Sequence, residues 1–567
     1  MNISGSQMVI ESLHREGVEV IFGYPGGAIM DIYDSLLSDN KIKHILVRHE
    51  QAAIMAAEGY SKTTGNVGVA FVTSGPGFTN AVTGIANAFM DSIPVVIISG
   101  QVPTSVIGTD AFQEIDAVGI SRTCTKHNYL VKSIDDLPRI LSEAFFIART
   151  GRPGPVHVDI PKDIAVSLGE FIYPDTPDMK TYSPIYDTDK HAIKSFLSLL
   201  NMADKPVLYV GGGARLSQAT KEVLSFISKT AIPAIETLNA RGVVGASNKY
   251  LIGMPGMYGE YAANLSLLES DFIISVGARF DDRVTGKVDE FGKNAKIAHF
   301  DIDPSSMDKI IHADCKILGD IKSSLNCALS LLDEYPDISS KKHANWLAYL
   351  VSYKKKHHIT FVDTTDPIKP QWVIKTTGEI LGADAIISTD VGLHQMWAAQ
   401  FYPLTFPNQL VTSGGLGTMG YGFPAAIGVK EAVKEKKTVV NFTGDGSIQM
   451  NIQELSTAVE YNLPIINIIL NNGYLAMVRQ WQTLFYEKRY SSTTFGHQPN
   501  FKKLAESYGA LGFRCSTKKE FELALDEAVR SKKTCLIDVI VDKDELVLPM
   551  VKPGSGLYEM IMPYGEN

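Results

Sequence analysis

Two short polar segments in the C-terminal third of the chain contain residue types that hold a divalent metal. Gly444-Asp445-Gly446 follows an apolar run that ends at Thr443, and Asn471-Asn472 closes a second apolar run after a helical stretch over roughly 451–461. A right-handed βαβ crossover makes the two runs parallel, so both carboxyl ends lie at the edge where α/β sheets bind ligands. Carboxylate and amide oxygens suit Mg²⁺ shared with phosphates, although Gly-Asp-Gly alone could be only a strand-to-helix turn.

Glu50 is a second candidate, because it stands where an apolar strand at 44–47 passes into an Ala-rich helix. A carboxylate in that position can bond to a cofactor ring nitrogen and promote proton transfer, or it can be a solvated helix-start residue. Glu58, further along the same helix, is interpreted as structural. Arg283, beside two aspartates, can grip a carboxylate through two parallel bonds, whereas a bare Arg in such company is usually a surface ion pair.

The elements that must position these residues alternate between apolar runs and helical patterns. The runs lie at 67–73, 94–100, 206–213, 271–277, 438–446 and 463–472. This alternation predicts an α/β protein with three doubly wound parallel-sheet domains. Two poorly patterned stretches, 167–190 and 333–358, separate the domains. The predicted boundaries are 1–166, 190–335 and 365–550, followed by a C-terminal tail at 551–567.

Composition narrows the class of protein. The 567 residues are enough for about three or four domains. The net charge of −9 comes with no long block of Lys or Arg, which argues against a nucleic-acid partner. Five scattered cysteines argue against a disulfide framework and a zinc site. No segment approaches the roughly 18 apolar residues of a membrane-spanning helix. We therefore expect a cytoplasmic protein that does not bind a membrane.

The whole pattern, from about residue 4 to about 560, resembles the acetohydroxyacid synthase (acetolactate synthase) family of thiamine diphosphate enzymes. Its GDG…NN signature implies that Asp445, Asn472 and the backbone carbonyl of Tyr474 hold Mg²⁺. The context H-E-x-x-A-x-x-A-A-x-G-Y implies that Glu50 activates the aminopyrimidine of thiamine diphosphate. Glu50 and Asp445 belong to different domains, which in this family come from different subunits, so the resemblance implies at least a homodimer.

The resemblance also implies roles near the substrate. Arg283 of GARFDDRVTG would position the second ketoacid, and Trp481 of NNGYLAMVRQWQ would favour the larger acceptor, although an aromatic stripe alone is more often core. The further catalytic residues implied by the family are Gly27, Phe112, Gln113, Lys162 and Met477. The small residues Gly26, Gly27 and Ala28 have N–H groups suited to a cofactor or a developing oxyanion.

Cofactor contacts are implied for two groups. For thiamine diphosphate they are Gly26, Ala28, Glu50, His394, Gln395, Met419, Gly446 and Ser447. For FAD they are Arg152, Arg279, Asp301 and Asp320, supported by a strand that ends in an acid and by a Gly-rich turn at 211–215. Leu393 replaces the usual family Gln, so any side-chain contact from that position is lost. Gly415, Gly417 and Gly420 form a G-x-G-x-x-G, but the segment matches a thiamine-family loop, which argues against a nicotinamide fold.

The implied reaction decarboxylates pyruvate and joins the two-carbon unit to pyruvate or 2-ketobutyrate, giving 2-acetolactate or 2-aceto-2-hydroxybutyrate for branched-chain amino-acid biosynthesis. The flavin would do no net redox work. We expect a homodimer or tetramer and a separate regulatory small subunit. Pyruvate oxidase and a flavin-free catabolic acetolactate synthase are alternatives that the RFDDRVTG and QWQ matches oppose. An inactive scaffold protein should have lost Glu50, Asp445 or Asn472, and all three are present.

Overall fold

The computed structural model describes residues 2–563, so the last four residues of the predicted tail, 564–567, lie outside the described residues. The chain forms two compact units. The first contains the residues up to Ser183 together with Ala385–Gln395 and Val411–Lys543. The second contains Pro184–Asp384, Met396–Leu410 and the residues from Asp544 onward.

The N-terminal part of the first unit is a six-stranded parallel sheet in the order β3-β2-β4-β5-β7-β6. Two short strands, β1 and β8, pair antiparallel beside it. The elements are β1 (Asn2–Ser4), α1 (Gly5–Arg15), β2 (Val20–Gly23), α2 (Met30–Leu37), β3 (Lys43–Leu46), α3 (Glu50–Thr64), β4 (Gly68–Val72), α4 (Pro76–Asp91), β5 (Val95–Gln101), α5 (Ala117–Ser121), β6 (His127–Leu130), α6 (Leu137–Arg149), β7 (Val156–Pro161), α7 (Lys162–Val166) and β8 (Leu168–Glu170).

The second unit contains a six-stranded parallel sheet in the order β11-β10-β9-β12-β13-β14. Its elements, with two helices that follow, are α8 (Lys190–Met202), β9 (Pro206–Val210), α9 (Gly212–Leu216), α10 (Thr220–Thr230), β10 (Ala234–Glu236), β11 (Leu251–Gly253), α11 (Tyr261–Glu269), β12 (Phe272–Val276), α12 (Asp282–Thr285), β13 (Lys296–Asp301), β14 (Cys315–Leu318), α13 (Ile321–Leu331), α14 (Ala344–Lys356) and α15 (Pro370–Leu381).

The third sheet has the order β16-β15-β17-β18-β20-β19, with parallel pairing from β15 through β19. An antiparallel pair, β21 and β22, follows it along the chain. The elements are β15 (Ala385–Thr389), α16 (Leu393–Phe401), β16 (Leu410–Val411), α17 (Gly422–Val433), β17 (Thr438–Gly444), α18 (Glu454–Glu460), β18 (Ile465–Asn471), α19 (Ala476–Phe485), α20 (Phe501–Ser507), β19 (Leu511–Cys515), α21 (Lys518–Ser531), β20 (Cys535–Ile540), β21 (Met550–Val551) and β22 (Met560–Ile561).

The prediction of three doubly wound parallel sheets is confirmed. Their central strands are buried apolar runs, as expected when helices cover both faces of a parallel sheet. In each sheet the early strands are added on one side of the first central strand, and the later strands are added on its other side. The order reverses between β2 and β4, between β9 and β12, and between β15 and β17. Loops at the carboxyl ends of these strands therefore lie at topological switch points, where α/β sheets bind ligands.

The local elements differ from the sequence pattern in two places. The helix expected over roughly 451–461 runs over Glu454–Glu460, and Asn451 before it donates through its side-chain amide to the carbonyl of Gly420 (2.7 Å). The poorly patterned stretch 333–358 contains the thirteen-residue helix α14. The buried side chains of this helix are Trp346 and Leu350. The sequence therefore lacks the repeating aliphatic pattern that would predict a helix here.

Candidate functional site

The predicted metal residues lie on two adjacent strand ends. Strand β17 pairs in parallel with β18, with Gly444 opposite Leu470, and Asp445 and Asn472 follow directly. The backbone N–H of Gly473 donates to Asp445 Oδ2 (3.1 Å), which joins the two loops. The side-chain oxygen of Asn472 accepts from the N–H of Tyr474 (3.1 Å). A carboxylate, an amide oxygen and a backbone carbonyl thus lie at one edge, which is a donor set that fits Mg²⁺.

Asp445 itself is nearly inaccessible to solvent. Burial raises the pKa of its carboxyl to about 6, although hydrogen bonds from backbone N–H groups and from Gln498 oppose that rise. Gln449 donates to the Asp445 carbonyl (2.7 Å) and fixes the backbone behind the carboxylate. A buried carboxylate of this kind gains a strong partner when a dication neutralises it.

His394 and Ser447 lie beside this carboxylate loop, at the β15–β17 switch point. Burial lowers the pKa of His394 to about 3, so the imidazole is neutral at pH 7. Its Nε2 atom is buried and has no hydrogen-bond partner among the described residues. A Cβ on Gly444 would lie 3.2 Å from His394 Nδ1, so the glycine leaves the imidazole room. The orphan nitrogen and the small Gly446 fit a diphosphate at this edge.

Gln395 is held by the loop that follows strand β16. Its side-chain amide donates to Thr412 Oγ1 (2.7 Å) and to the carbonyl of Ser413 (2.9 Å). These bonds hold the loop that continues to Met419. Leu393, where the family has Gln, is buried.

Glu50 occupies the first turn of α3, after His49 at the N-cap. The residue is 9% exposed, and its Oε2 accepts a hydrogen bond from the side-chain amide of Asn80 on α4 (2.9 Å). Position and partner together hold an acceptor group at a carboxyl-end edge of the N-terminal sheet. The sequence pattern identified Glu50 but contained no signal for Asn80, which is 30 residues away.

The loop with Gly26, Gly27 and Ala28 follows β2, at the first switch point. A Cβ on Gly26 would lie 2.5 Å from the Thr73 side chain, so only glycine allows this approach. The N–H of Ala28 donates to Thr73 Oγ1 (3.4 Å), and Lys162 Nζ donates to the carbonyl of Gly27 (3.5 Å). Lys162 thus contacts the loop that contains Gly27.

Phe112 and Gln113 form the tip of a loop beside the β4–α4 turn. Gln113 has a φ of +59°, and a Cβ on Gly75 would lie 2.8 Å from its carbonyl oxygen. The loop is anchored at its end by Gln101, whose amide donates to the carbonyl of Ile115 (3.0 Å). Phe112 is 87% exposed within one chain, a large apolar surface for a side chain that the family places near the cofactor.

Met477 and Trp481 project from α19, which begins four residues after Asn472. Trp481 is half-buried, and its ring lies 6.5 Å from that of Phe485. Neither Met477 nor Trp481 belongs to the buried core. A partly exposed aromatic and a partly exposed thioether on one helix suit a pocket wall better than a core stripe.

The second unit contains a nucleotide-like switch point. Gly211 and Gly213 follow β9, Gly277 follows β12, and a Cβ on Gly211 would lie 2.2 Å from the Gly277 carbonyl oxygen. Asp301 ends the neighbouring strand β13, and its Oδ1 accepts from the N–H of Asp303 (2.9 Å). Two crossing glycine loops beside a strand-end acid fit a dinucleotide.

The other predicted FAD residues are spread more widely. Arg279 follows Gly277 and lies 3.8 Å from Asp281. Asp320 caps α13 by accepting from the N–H of Ser323 (3.0 Å), which gives it a structural role in addition to any flavin contact. Arg152 belongs to the first unit, where its Nε donates to Ser92 Oγ (2.8 Å).

Arg283 lies in the second unit beside a cavity of about 130 Å³, which is lined by Met257, Arg283, Val551, Lys552 and Leu557 among others. The Arg283 guanidinium is half-exposed, 3.7 Å from Met257 Sδ and 3.9 Å from Asp282. This long, exposed ion pair leaves the guanidinium accessible to a small carboxylate.

Comparison with known proteins identifies the family. Residues 3–120, 193–327 and 390–539 match the families described as thiamine pyrophosphate enzyme, N-terminal TPP binding domain, central domain and C-terminal TPP binding domain, respectively. The acetolactate synthase large subunit of Haemophilus influenzae is 46% identical over 563 residues, covering 99% of this chain and 98% of that protein. The chain belongs to the acetolactate synthase large-subunit family.

Two further relatives support this membership in the acetolactate synthase large-subunit family. The acetolactate synthase isozyme 3 large subunit of Escherichia coli K12 is 46% identical over 571 residues, covering 100% of this chain and 99% of that protein. The acetolactate synthase large subunit of Lactococcus lactis is 44% identical over 558 residues, covering 98% and 96%. Across residues 2–563, no helix is both long and apolar enough to cross a membrane.

Proposed function

We propose that the chain is the catalytic subunit of an acetolactate synthase that uses thiamine diphosphate, Mg²⁺ and FAD. It decarboxylates pyruvate and joins the two-carbon unit to pyruvate or 2-ketobutyrate. The observation that carries this proposal is the Gly473–Asp445 hydrogen bond, because it brings the two halves of the GDG…NN signature to one edge (3.1 Å). Membership of the family supports the reaction class.

In this proposal the chain holds the metal with Asp445, Asn472 and the Tyr474 carbonyl. Bound Mg²⁺ would supply positive charge that offsets the charge of the diphosphate. Gly446 and Ser447 present the loop to that diphosphate, and His394 offers its unpartnered Nε2. Because burial keeps His394 neutral, it can donate a hydrogen bond without adding charge.

Glu50 would accept or share the proton of a ring nitrogen at the other end of the cofactor. Bound thiamine diphosphate supplies a carbon nucleophile able to add to a ketoacid carbonyl and to stabilise the charge left by loss of carbon dioxide. Asn80 holds one Glu50 oxygen, and the second would face the cofactor ring. Gly27 and its neighbours supply small residues and N–H groups, while Lys162, Phe112 and Gln113 border the approach.

Arg283, Met477 and Trp481 would select the acceptor. The accessible guanidinium grips the carboxylate common to both ketoacids, whereas Trp481 meets the extra methylene of 2-ketobutyrate. We place Glu50 and Asp445 of one site on two copies of the chain, which makes a homodimer the smallest active assembly. Relatives named large subunits support a separate small subunit as a partner.

FAD would bind at the switch point between β9 and β12, with Arg279, Asp301, Asp320 and Arg152 as its contacts. It would be structural and would remain oxidised. The glycine crossing at Gly211 and Gly277 supports this assignment, since side chains there would fill the cradle.

The test is product formation by the purified chain supplied with thiamine diphosphate, Mg²⁺ and FAD. Pyruvate alone should give acetolactate, and pyruvate with 2-ketobutyrate should give both acetohydroxy acids. If the protein instead consumes pyruvate while the yellow flavin absorbance bleaches in the absence of oxygen, the protein is a pyruvate oxidase and the proposal is wrong.

A further inference from the structure

A short segment lies along the metal loop. We name residues 493–498 the strap. The N–H of Leu475 donates to the carbonyl of Thr493 (2.9 Å), and the N–H of Phe495 donates to the carbonyl of Gly473 (3.0 Å). Tyr474 and Thr494 form an antiparallel bridge between these bonds. The strap therefore has a fixed register against the residues that follow Asn472.

The strap brings Gln498 to the predicted metal carboxylate. The side-chain amide N–H of Gln498 donates to Asp445 Oδ2, the same oxygen that accepts from the Gly473 N–H. Two donors on one oxygen fix the torsion of the carboxylate and direct its other oxygen, Oδ1, away from them. An ionised carboxylate only accepts hydrogen bonds, so the Gln498 amide must face it with its N–H group, while Gln498 Oε1 is buried without a partner among the described residues.

We propose that Gln498 is a positioning residue of the metal centre. It holds Oδ2 of Asp445 so that Oδ1 is presented to Mg²⁺ as a monodentate ligand. This inference rests on the proposed function, because it assumes that Asp445 binds the metal. Mg²⁺ requires near-ideal octahedral geometry, so a carboxylate that can rotate should bind the metal more weakly. Loss of such an outer hydrogen bond typically weakens metal binding about 10- to 100-fold.

A purely structural role makes a different prediction. If Gln498 only fastened the strap, its removal would lower the melting temperature of the cofactor-free protein and leave the metal dissociation constant unchanged. The backbone bonds of Leu475 and Phe495 to the strap do not involve the Gln498 side chain. We therefore expect the strap to keep its register when that side chain is replaced.

The experiment compares Gln498→Leu and Gln498→Met with the control His497→Ala, an exposed neighbour on the same strap. Full-length protein with saturating thiamine diphosphate is titrated with Mn²⁺ in place of Mg²⁺, and free Mn²⁺ is measured by electron paramagnetic resonance. Both Gln498 variants should raise the dissociation constant about 10- to 100-fold, and the control should stay within about twofold. Excess metal should restore turnover in the Gln498 variants.

Dissociation constants within about twofold of the parent in either folded Gln498 variant would overturn the proposal. So would equal weakening by His497→Ala, which would assign the effect to the strap as a whole. If both Gln498 variants melt far below the parent without cofactors, the side chain is structural and the proposal is also wrong. Failure of the parent to bind Mn²⁺ with thiamine diphosphate would instead refute the proposed function.

Discussion

Replacing Glu50 with Gln tests the proposed chemistry most directly. A Gln side-chain carbonyl can still accept from the Asn80 amide, so the 2.9 Å contact and the start of α3 should survive. What disappears is the group able to carry a proton. We expect turnover to fall about 100- to 10,000-fold, which corresponds to about 3–5 kcal/mol of barrier, with little change in stability.

The assay is acetolactate formation from pyruvate, with the bound thiamine diphosphate and Mg²⁺ measured in the same preparation. Asn80→Ala is the matched control: it keeps the carboxylate but frees one oxygen, so we expect a smaller loss of turnover than in Glu50→Gln. Turnover near that of the parent in a cofactor-saturated Glu50→Gln protein would refute the assignment of Glu50 to catalysis.

Three other predictions concern the metal, the acceptor and a buried acid. Asp445→Ala should weaken retention of thiamine diphosphate at limiting Mg²⁺, since the metal loses its charged protein ligand; unchanged cofactor affinity would contradict this. With both ketoacids present, Arg283→Lys should weaken capture of both, whereas Trp481→Leu should reduce the preference for 2-ketobutyrate by roughly 10- to 200-fold; an unchanged product ratio would show that Trp481 does not contact the acceptor. Burial raises the pKa of Glu58 to about 8. The folded protein therefore keeps Glu58 protonated over a pH range in which the same side chain is ionised in the unfolded chain. Its stabilising contribution, fully present at low pH, is therefore lost as the pH rises through about 8, and Glu58→Gln should gain roughly 3 kcal/mol on the parent between pH 5 and pH 8 in thermal denaturation; parallel pH profiles would contradict this.

Much of the site can be predicted from local sequence, because the end of a buried strand is recognisable as an apolar run followed by polar residues or glycine. An apolar run followed by Gly-Asp-Gly, and another followed by Asn-Asn, predicts two adjacent carboxyl ends, and the parallel pairing of β17 with β18 matches that prediction. The same reasoning located Glu50 after β3. Parallel topology converts separate strand ends into one edge, so a few residues at those ends determine where ligands can bind.

The remainder depends on contacts between distant residues, which a single sequence does not encode visibly. Gln498 donates to Asp445 across 53 positions, and Asn80 to Glu50 across 30. Neither donor belongs to a motif. The family resemblance implies that Asp320 contacts FAD, but the structure also uses its side chain as a helix cap. Side chains that orient functional groups are chosen by packing, so their positions appear only in three dimensions.

Glu58 belongs to a hydrogen-bond network of the first unit that links helices α3 and α4 to a loop far away in the sequence. Its carboxyl accepts from the amide of Asn87 on α4 (2.8 Å), and the Asn87 oxygen in turn accepts from the hydroxyls of Ser413 and Thr418. All of this network except Thr418 is buried. An amide held by a carboxyl group on one side cannot flip, so its oxygen must face the two hydroxyls. The interior of helices α3 and α4 thereby fixes the loop that leads to Met419, a residue that we propose contacts thiamine diphosphate.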